Sequence, residues 1–251
     1  MAALSLRQND LLCEIGAGHG AMTGLLAARA QQVVALEIDP GLAQAVRQKY
    51  AGKANIEVLE ADILKTGLPG LCRRYQRQSC YVFGNLPYYI TSPILHHLLD
   101  QAAWINGMGL VVQREVAERL TAEPGSRSYG YLTVLTQLAT QPRLEFAIPP
   151  GAFAPPPKVD SALVTFEMRS QVLPAQDRLE LLDFVKLCFA HKRKTLLNNL
   201  QPAHERRRVE AELAALGLRP TARAEQLPFE QFAELHGRLR EGRRDEGQNA
   251  R

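Results

Sequence analysis

Cysteine is scarce and scattered. The 251-residue chain has four, Cys13, Cys72, Cys80 and Cys188, with no C-x-x-C pair and no histidine cluster beside them. Neither a disulfide framework nor a metal centre is expected, and the four read as reduced, structural thiols. Long apolar runs are missing too. None reaches the about 20 residues that a membrane span needs, so no membrane partner is expected. The start, MAALSLRQND, lacks a signal peptide's apolar stretch and small-residue cleavage site, and the expected compartment is the cytoplasm. Net charge is small, +4, but the basic excess is clustered: HKRK at 191–194, RRR at 206–208, RLREGRR at 238–244. Such clusters suit a polyanion, although a solvated helix face with interspersed Glu gives the same pattern.

What the chain has is alternation. LLCEI (11–15), VVALEI (33–38), IEVLEA (56–61), CYVFG (80–84) and GLVVQ (109–113) read as strands. AMTGLLAARA, GLAQAVRQKY and SPILHHLLDQ carry helical spacing between them. This order predicts an α/β domain with a parallel sheet covered on both faces, because each crossover needs a helix. REVAERLTAE and YLTVLTQLAT follow as helices, and then RLEFAIP and ALVTFEM as a strand pair around FAPPPKVDS. From Asp177 the pattern is helical only, over 177–200, 204–218 and 228–240, and Lys192, Arg193 and Lys194 are expected at the end of an apolar helix. The expected division is 1–172, a helical domain at 176–240 after a linker at 170–176, and a polar, disordered tail at 241–251.

CEIGAGHG (13–20) follows the first strand and opens the first helix. Gly16, Gly18 and Gly20 permit a tight turn and close approach to a ligand. The motif also fits G-x-G-x-x-A, so a dinucleotide-binding oxidoreductase stays open at this point. Glu37 ends the second strand, where a carboxylate grips two ribose hydroxyls. Ile38-Asp39-Pro40 then turns into the next helix, with Asp39 read as its N-cap. Asp62 and Ile63 end the third strand, placed for an adenine amino group and the face of its ring. Glu14, inside the first strand, puts an acid beside a ligand's cationic end. In such sheets ligands bind across the C-terminal strand ends.

The fourth strand runs into Asn85-Leu86-Pro87-Tyr88. Pro87 fixes the backbone, so the Leu86 carbonyl cannot join a helix ladder. Two acceptors, the Asn85 side-chain oxygen and the Leu86 carbonyl, then face the pocket, with Tyr88 as a flat face beside them. An exocyclic adenine amine is a poor nucleophile because its lone pair is delocalised into the ring. Two acceptors on its hydrogens draw the nitrogen toward tetrahedral geometry and free that pair. No strong base is needed when a sulfonium leaving group drives methyl transfer. An oxidoreductase would leave this motif without a purpose.

These segments resemble the S-adenosylmethionine-dependent rRNA adenine N6,N6-dimethyltransferases. The likeness rests on E-I-G-A-G-H-G, A-D-I-L (61–64) and N-L-P-Y-Y-I-T-S-P-I (85–94). It continues through Q-R-E-V-A-E-R-L (113–120), P-G-S-R-S-Y-G (124–130), F-A-P-P-P-K-V-D-S-A-L-V (153–164), H-K-R-K-T-L-L-N-N-L (191–200) and R-A-E-Q-L-P-F-E-Q-F (223–232). The resemblance implies a Rossmann-like methyltransferase domain with a small all-helical domain that helps grip RNA. It implies S-adenosylmethionine as cofactor, held by Glu14, Gly16, Gly18, Gly20, Glu37, Ile38, Asp62, Ile63 and Asn85. Asn85, Leu86, Pro87 and Tyr88 would form the catalytic motif and Phe153 would stack on the target base. Lys158, Lys192, Arg193 and Lys194 are the expected RNA contacts. The implied reaction is dimethylation of two adjacent adenosines in a hairpin near the 3′ end of small-subunit rRNA. The expected partner is the immature small ribosomal subunit, met by a monomer. A non-catalytic RNA-binding factor on the same fold, or the large-subunit antibiotic-resistance type, remains as an alternative. The family usually carries a further upstream segment with a Gln-x-Phe-Leu-like element that helps to close over cofactor and RNA; it is expected to be missing here.

Overall fold

The computed structural model describes residues 3–87, 89–170 and 174–248, the side chains of 175 and 241–248 excepted. The strands are β1 (Leu11–Ile15), β2 (Gln32–Glu37), β3 (Ile56–Glu60), β4 (Cys80–Asn85), β5 (Ile105–Gln113), β6 (Thr140–Ile148) and β7 (Ser161–Met168). The helices are α1 (Thr23–Ala27), α2 (Pro40–Lys49), α3 (Leu68–Arg74), α4 (Thr91–Asp100), α5 (Arg114–Leu120), α6 (Tyr131–Gln137), α7 (Ala175–Cys188), α8 (Leu196–Leu200), α9 (Arg206–Ala215) and α10 (Phe229–Gln248).

The strands form one sheet in the order β3-β2-β1-β4-β5-β7-β6. The first five are parallel, and β7 runs antiparallel to both β5 and β6. All five residues of β1 are buried, as expected where helices cover both faces of a parallel sheet. Leu12, Val33, Phe83 and Val111 share a core cluster with Leu26 and Leu4, and Ala43 and Val46 of α2 pack with Ala35 and Val58. The Asp39 side chain accepts from Leu42 N–H at 2.9 Å, with Pro40 in the first helical turn. This cap, of a kind worth about 1 kcal/mol, starts α2 directly after Glu37. The four cysteines are free and buried.

Contacts divide the chain into two compact units, Met1–Glu118 with Ala139–Val172, and Arg119–Leu138 with Leu173–Arg251. The last of the three change-overs falls between 172 and 173. The segment 119–138 differs, because it groups with the C-terminal helices. Tyr129 meets the Phe189 ring at 6.3 Å, and Gly125 N–H donates to the Glu225 carbonyl at 2.6 Å. Two further expectations are corrected. The tail expected from 241 begins inside α10, which continues to Gln248, and 249–251 lie outside the described residues. Of the expected linker, 171–173 lie outside them too. The single helix expected over 177–200 is two, α7 and α8. Thr195 accepts from Asn198 N–H at 3.3 Å and so starts α8. The buried Asn199 amide donates to the Cys188 carbonyl at 2.7 Å, at the end of α7, and to the His191 carbonyl in the loop at 3.2 Å.

Candidate functional site

From β1 the chain builds β2 and β3 on one side, then crosses to build β4 and β5 on the other. The crevice between β1 and β4 is therefore the topological switch point, where open α/β sheets bind ligands. Gly16 leaves β1 there, and a Cβ on it would stand 3.8 Å from the Asn85 carbonyl oxygen at the end of β4. Register aligns the other ends. Ile15 lies opposite Leu36 and Gly84, and Glu37 lies opposite Glu60, two residues before Asp62. The sheet thus brings Gly16, Glu37, Asp62 and Asn85 to neighbouring strand ends, as the sequence predicts.

Gly16, Gly18 and Gly20 all have positive φ, 71°, 54° and 71°, where a Cβ brings strain. Gly20 N–H closes a turn on the Ala17 carbonyl at 2.8 Å. Inside that turn Gly18 N–H donates to Glu37 Oε2 at 2.8 Å, and Asp39 N–H donates to Oε1 at 3.0 Å. Two backbone donors thus fix the nearly buried Glu37 carboxylate, and each oxygen keeps a lone pair for a ligand donor. Asp62 Oδ1 accepts from Leu64 N–H at 2.9 Å, so this carboxylate also caps the short turn after β3. Of the two apolar neighbours, Ile63 is buried and Ile38 is 67% exposed. Ile38 is the one that offers a face to a ring.

Glu14 is 2% exposed, and its Oε2 is buried without a hydrogen-bond partner. Burial pushes its carboxyl from 4.5 up to about 7; the Thr23 hydroxyl opposes the rise and the Glu37 carboxylate adds to it. An unsatisfied buried carboxyl is costly, and a ligand cation would relieve that cost. The glycine turn, the fixed Glu37 and the unsatisfied Glu14 suit a nucleoside carrying a ribose diol and a cationic end, the features of S-adenosylmethionine.

Asn85 is exposed at the end of β4. Leu86 turns inward, buried, with its N–H on the Val111 carbonyl at 3.0 Å. The next carbonyl, Pro87, accepts from Ile90 N–H and the Thr91 hydroxyl, both at 3.2 Å, and leads into α4. Tyr88 lies outside the described residues. In the β6–β7 connection Phe153 is half-buried and packs against the cluster of Leu12, Phe83 and Leu163, while Lys158 is exposed.

Lys192, Arg193 and Lys194 are expected at the end of an apolar helix, and the structure corrects this, since α7 ends at Cys188 and α8 begins at Leu196. They are exposed in the loop between α7 and α8. With Ala190 and His191 they line a concavity of about 450 Å³. Lys192 Nζ donates to the Arg127 carbonyl at 3.1 Å. No sequence motif flags Lys49 and Tyr50, yet both reach the glycine turn. The available signal was Gly24, a glycine inside a helical pattern with no turn to explain it. Among the described residues no three or more His, Cys, Asp or Glu could hold a metal ion, and no helix is long and apolar enough to cross a membrane.

The family model for ribosomal RNA adenine dimethylase matches residues 1–241. The ribosomal RNA small subunit methyltransferase A of Koribacter versatilis is 40% identical over 240 residues, covering 91% of this chain and 84% of that protein. The protein of the same name from Acidobacterium capsulatum is 42% identical over 224 residues, covering 88% and 78%. Among solved structures, the 23S rRNA methyltransferase ErmE superposes with a TM-score of 0.74 at 33% identity, covering 94% of this chain and 93% of its own. A dimethyladenosine transferase from Plasmodium falciparum superposes at 0.76 with 26% identity, covering 93% and 91%.

Proposed function

The chain belongs to the ribosomal RNA adenine dimethylase family, and from that premise we propose that it dimethylates N6 of two adjacent adenosines in a hairpin near the 3′ end of small-subunit rRNA. The small-subunit choice is supported by relatives at 40% and 42% identity that carry that name, against 33% for the 23S enzyme. The proposed substrate is the immature small subunit, met by a monomer in the cytoplasm.

The observation that carries this reading is the exposed Asn85 at the switch point, followed by a buried Leu86 and a fixed Pro87. S-adenosylmethionine supplies a methyl group on a sulfonium, which needs no further activation. Glu37 would hold the ribose hydroxyls, Glu14 would face the cationic end, and Asp62 with the exposed Ile38 would take the adenine, over the buried Ile63. The Gly16–Gly20 turn lets the backbone approach. Asn85 Oδ1 and the Leu86 carbonyl accept the two hydrogens of the target amine, which turns its lone pair toward the methyl group. The proton leaves afterwards to water. Tyr88 and Phe153 stack on the extruded base, because the amine is out of reach inside a duplex. Lys158, Lys192, Arg193 and Lys194 contact phosphates, which position RNA without reading its sequence.

The test is labelled methyl transfer to undermethylated small subunits, followed by mapping of the modified base. Label on adjacent adenosines of the 3′ hairpin is the expected result. Label on large-subunit RNA instead would point to the antibiotic-resistance type. Tight RNA binding without transfer, at saturating cofactor, would point to a non-catalytic binding factor.

A further inference from the structure

We infer that Lys49 and Tyr50 are positioning residues for cofactor binding, which pin the carbonyl side of the glycine turn so that its N–H side holds Glu37. The inference rests on the proposed cofactor role of that turn and names two residues outside the motif that serve it.

The turn is gripped from both sides. On one side Gly18 N–H reaches Glu37 Oε2 at 2.8 Å. On the other, the Tyr50 hydroxyl donates to the Gly20 carbonyl at 2.7 Å. Lys49 Nζ donates to the His19 carbonyl at 3.0 Å and reaches the Gly20 carbonyl at 3.4 Å. Lys49 and Tyr50 end α2, the helix that Asp39 starts immediately after Glu37. The same ten-residue helix thus links the two ends of the arrangement: its N-terminal cap donates N–H to Glu37 Oε1, and its C-terminal end holds the turn. A peptide plane carries its C=O and N–H on opposite edges. The plane of the His19 carbonyl carries Gly20 N–H, which donates to the Ala17 carbonyl at 2.8 Å, and the plane of the Ala17 carbonyl carries the Gly18 N–H that holds Glu37; fixing the His19 and Gly20 carbonyls thus steadies that relay in a stretch whose glycines would otherwise leave it free.

Tyr50 is seated to do this. Its ring packs on the cluster of Ala17, Val46 and Val58, and two glycines make room for it. A Cβ at Gly20 would stand 3.0 Å from Tyr50 Cε2, and a Cβ at Gly24 only 2.7 Å from the Tyr50 hydroxyl oxygen. Gly24 lies within α1, where glycine is less favourable than alanine. A helix that keeps a glycine there needs a reason, and the Tyr50 hydroxyl supplies one.

The test is a double-mutant cycle on Tyr50→Phe and Gly24→Ala in the full chain. It reads S-adenosylmethionine affinity by calorimetric titration, KM and kcat for methyl transfer, and melting temperature. Tyr50→Phe deletes one hydrogen bond and keeps the ring. Cofactor affinity should fall about two- to tenfold, the range for one net hydrogen bond, with the loss appearing in KM far more than in kcat. Gly24→Ala should weaken cofactor binding to a similar degree, because its Cβ would push the hydroxyl off the Gly20 carbonyl. The double variant should bind about as well as either single one, since both break the same contact. Unchanged affinity in Tyr50→Phe would overturn the inference and leave Tyr50 as core packing, as would losses that simply multiply in the double variant. Failure of the wild-type chain to bind S-adenosylmethionine would overturn the cofactor reading of the turn, and this inference with it.

Discussion

A carboxyl raised to about 7 beside a cationic ligand makes affinity depend on pH. Glu14 is driven there by burial first, with Glu37 adding to the rise, and its Oε2 has no partner. A bound cation favours the ionised form and draws the pKa back toward the ordinary carboxylate range. Binding below pH 7 must then expel a proton. Each pH unit below the free-protein pKa leaves about tenfold less ionised Glu14. Affinity should therefore fall about tenfold from pH 8 to pH 6. Glu14→Gln should bind more weakly at pH 8 and show a flatter profile, which also controls for titration of the ligand itself. Titration calorimetry in buffers of different ionisation enthalpy would detect the released proton directly. The same shift has a stability sign. The folded state holds this proton more tightly than the unfolded chain. Glu14's contribution thus favours folding below its ordinary pKa of 4.5 and is lost as pH rises toward about 7. The loss is on the order of 3 kcal/mol, so without cofactor Glu14→Gln should melt above wild type at pH 8, with the gap closing in acid. A wild-type affinity that is flat between pH 6 and 8 would refute the placement of Glu14 beside the cation.

Glu37→Ala should weaken S-adenosylmethionine binding by about ten- to a hundredfold, the range for losing charge-assisted hydrogen bonds; unchanged affinity in a folded variant would remove Glu37 from the site. Asn85→Ala should lower the single-turnover rate by about 10²-fold or more, by analogy with deleting one preorganised polar group. RNA affinity should change far less, and a rate near wild type would sink the role. Replacing Lys192, Arg193 and Lys194 together by Gln should flatten the plot of log affinity for undermethylated small subunits against log salt, by roughly 0.7–0.9 per lost phosphate contact. An unchanged slope would make the loop a solvated surface only.

The strands and the order of the site residues were legible because they depend on local pattern. Continuous apolar runs such as LLCEI and CYVFG suit a strand buried on both faces, and a glycine or a polar residue closes each run at its pocket end. The misreadings have separate causes. Apolar spacing continues past Cys188, so the periodicity ran one helix through HKRK. The break comes from Asn199, which reaches back to the Cys188 and His191 carbonyls. The short α3 begins with Pro69 in its first turn, where the missing N–H costs nothing. The polar stretch after residue 240 read as tail, yet its Glu and Arg are good helix formers, and α10 continues through it to Gln248. Tyr50 was invisible because its partners, Gly20 and Gly24, lie thirty and twenty-six residues away, with no local period connecting them.

The row of strand-end residues also has an electrostatic logic. Glu14 and Glu37 are already close enough for one to raise the pKa of the other. That arrangement suits a cationic ligand and is unfavourable without one. A third carboxylate at position 85, across from Gly16, would drive proton uptake further by like-charge repulsion. It would also meet an RNA whose phosphates are negative. Asn85 offers an acceptor with no net charge. A neutral acceptor is enough for an amine that must be turned rather than deprotonated. The cation at the glycine turn, Lys49, is held on the His19 and Gly20 carbonyls at 3.0 and 3.4 Å. On the proposed function, the strand ends therefore carry acids for a cationic cofactor and an uncharged amide for the target amine.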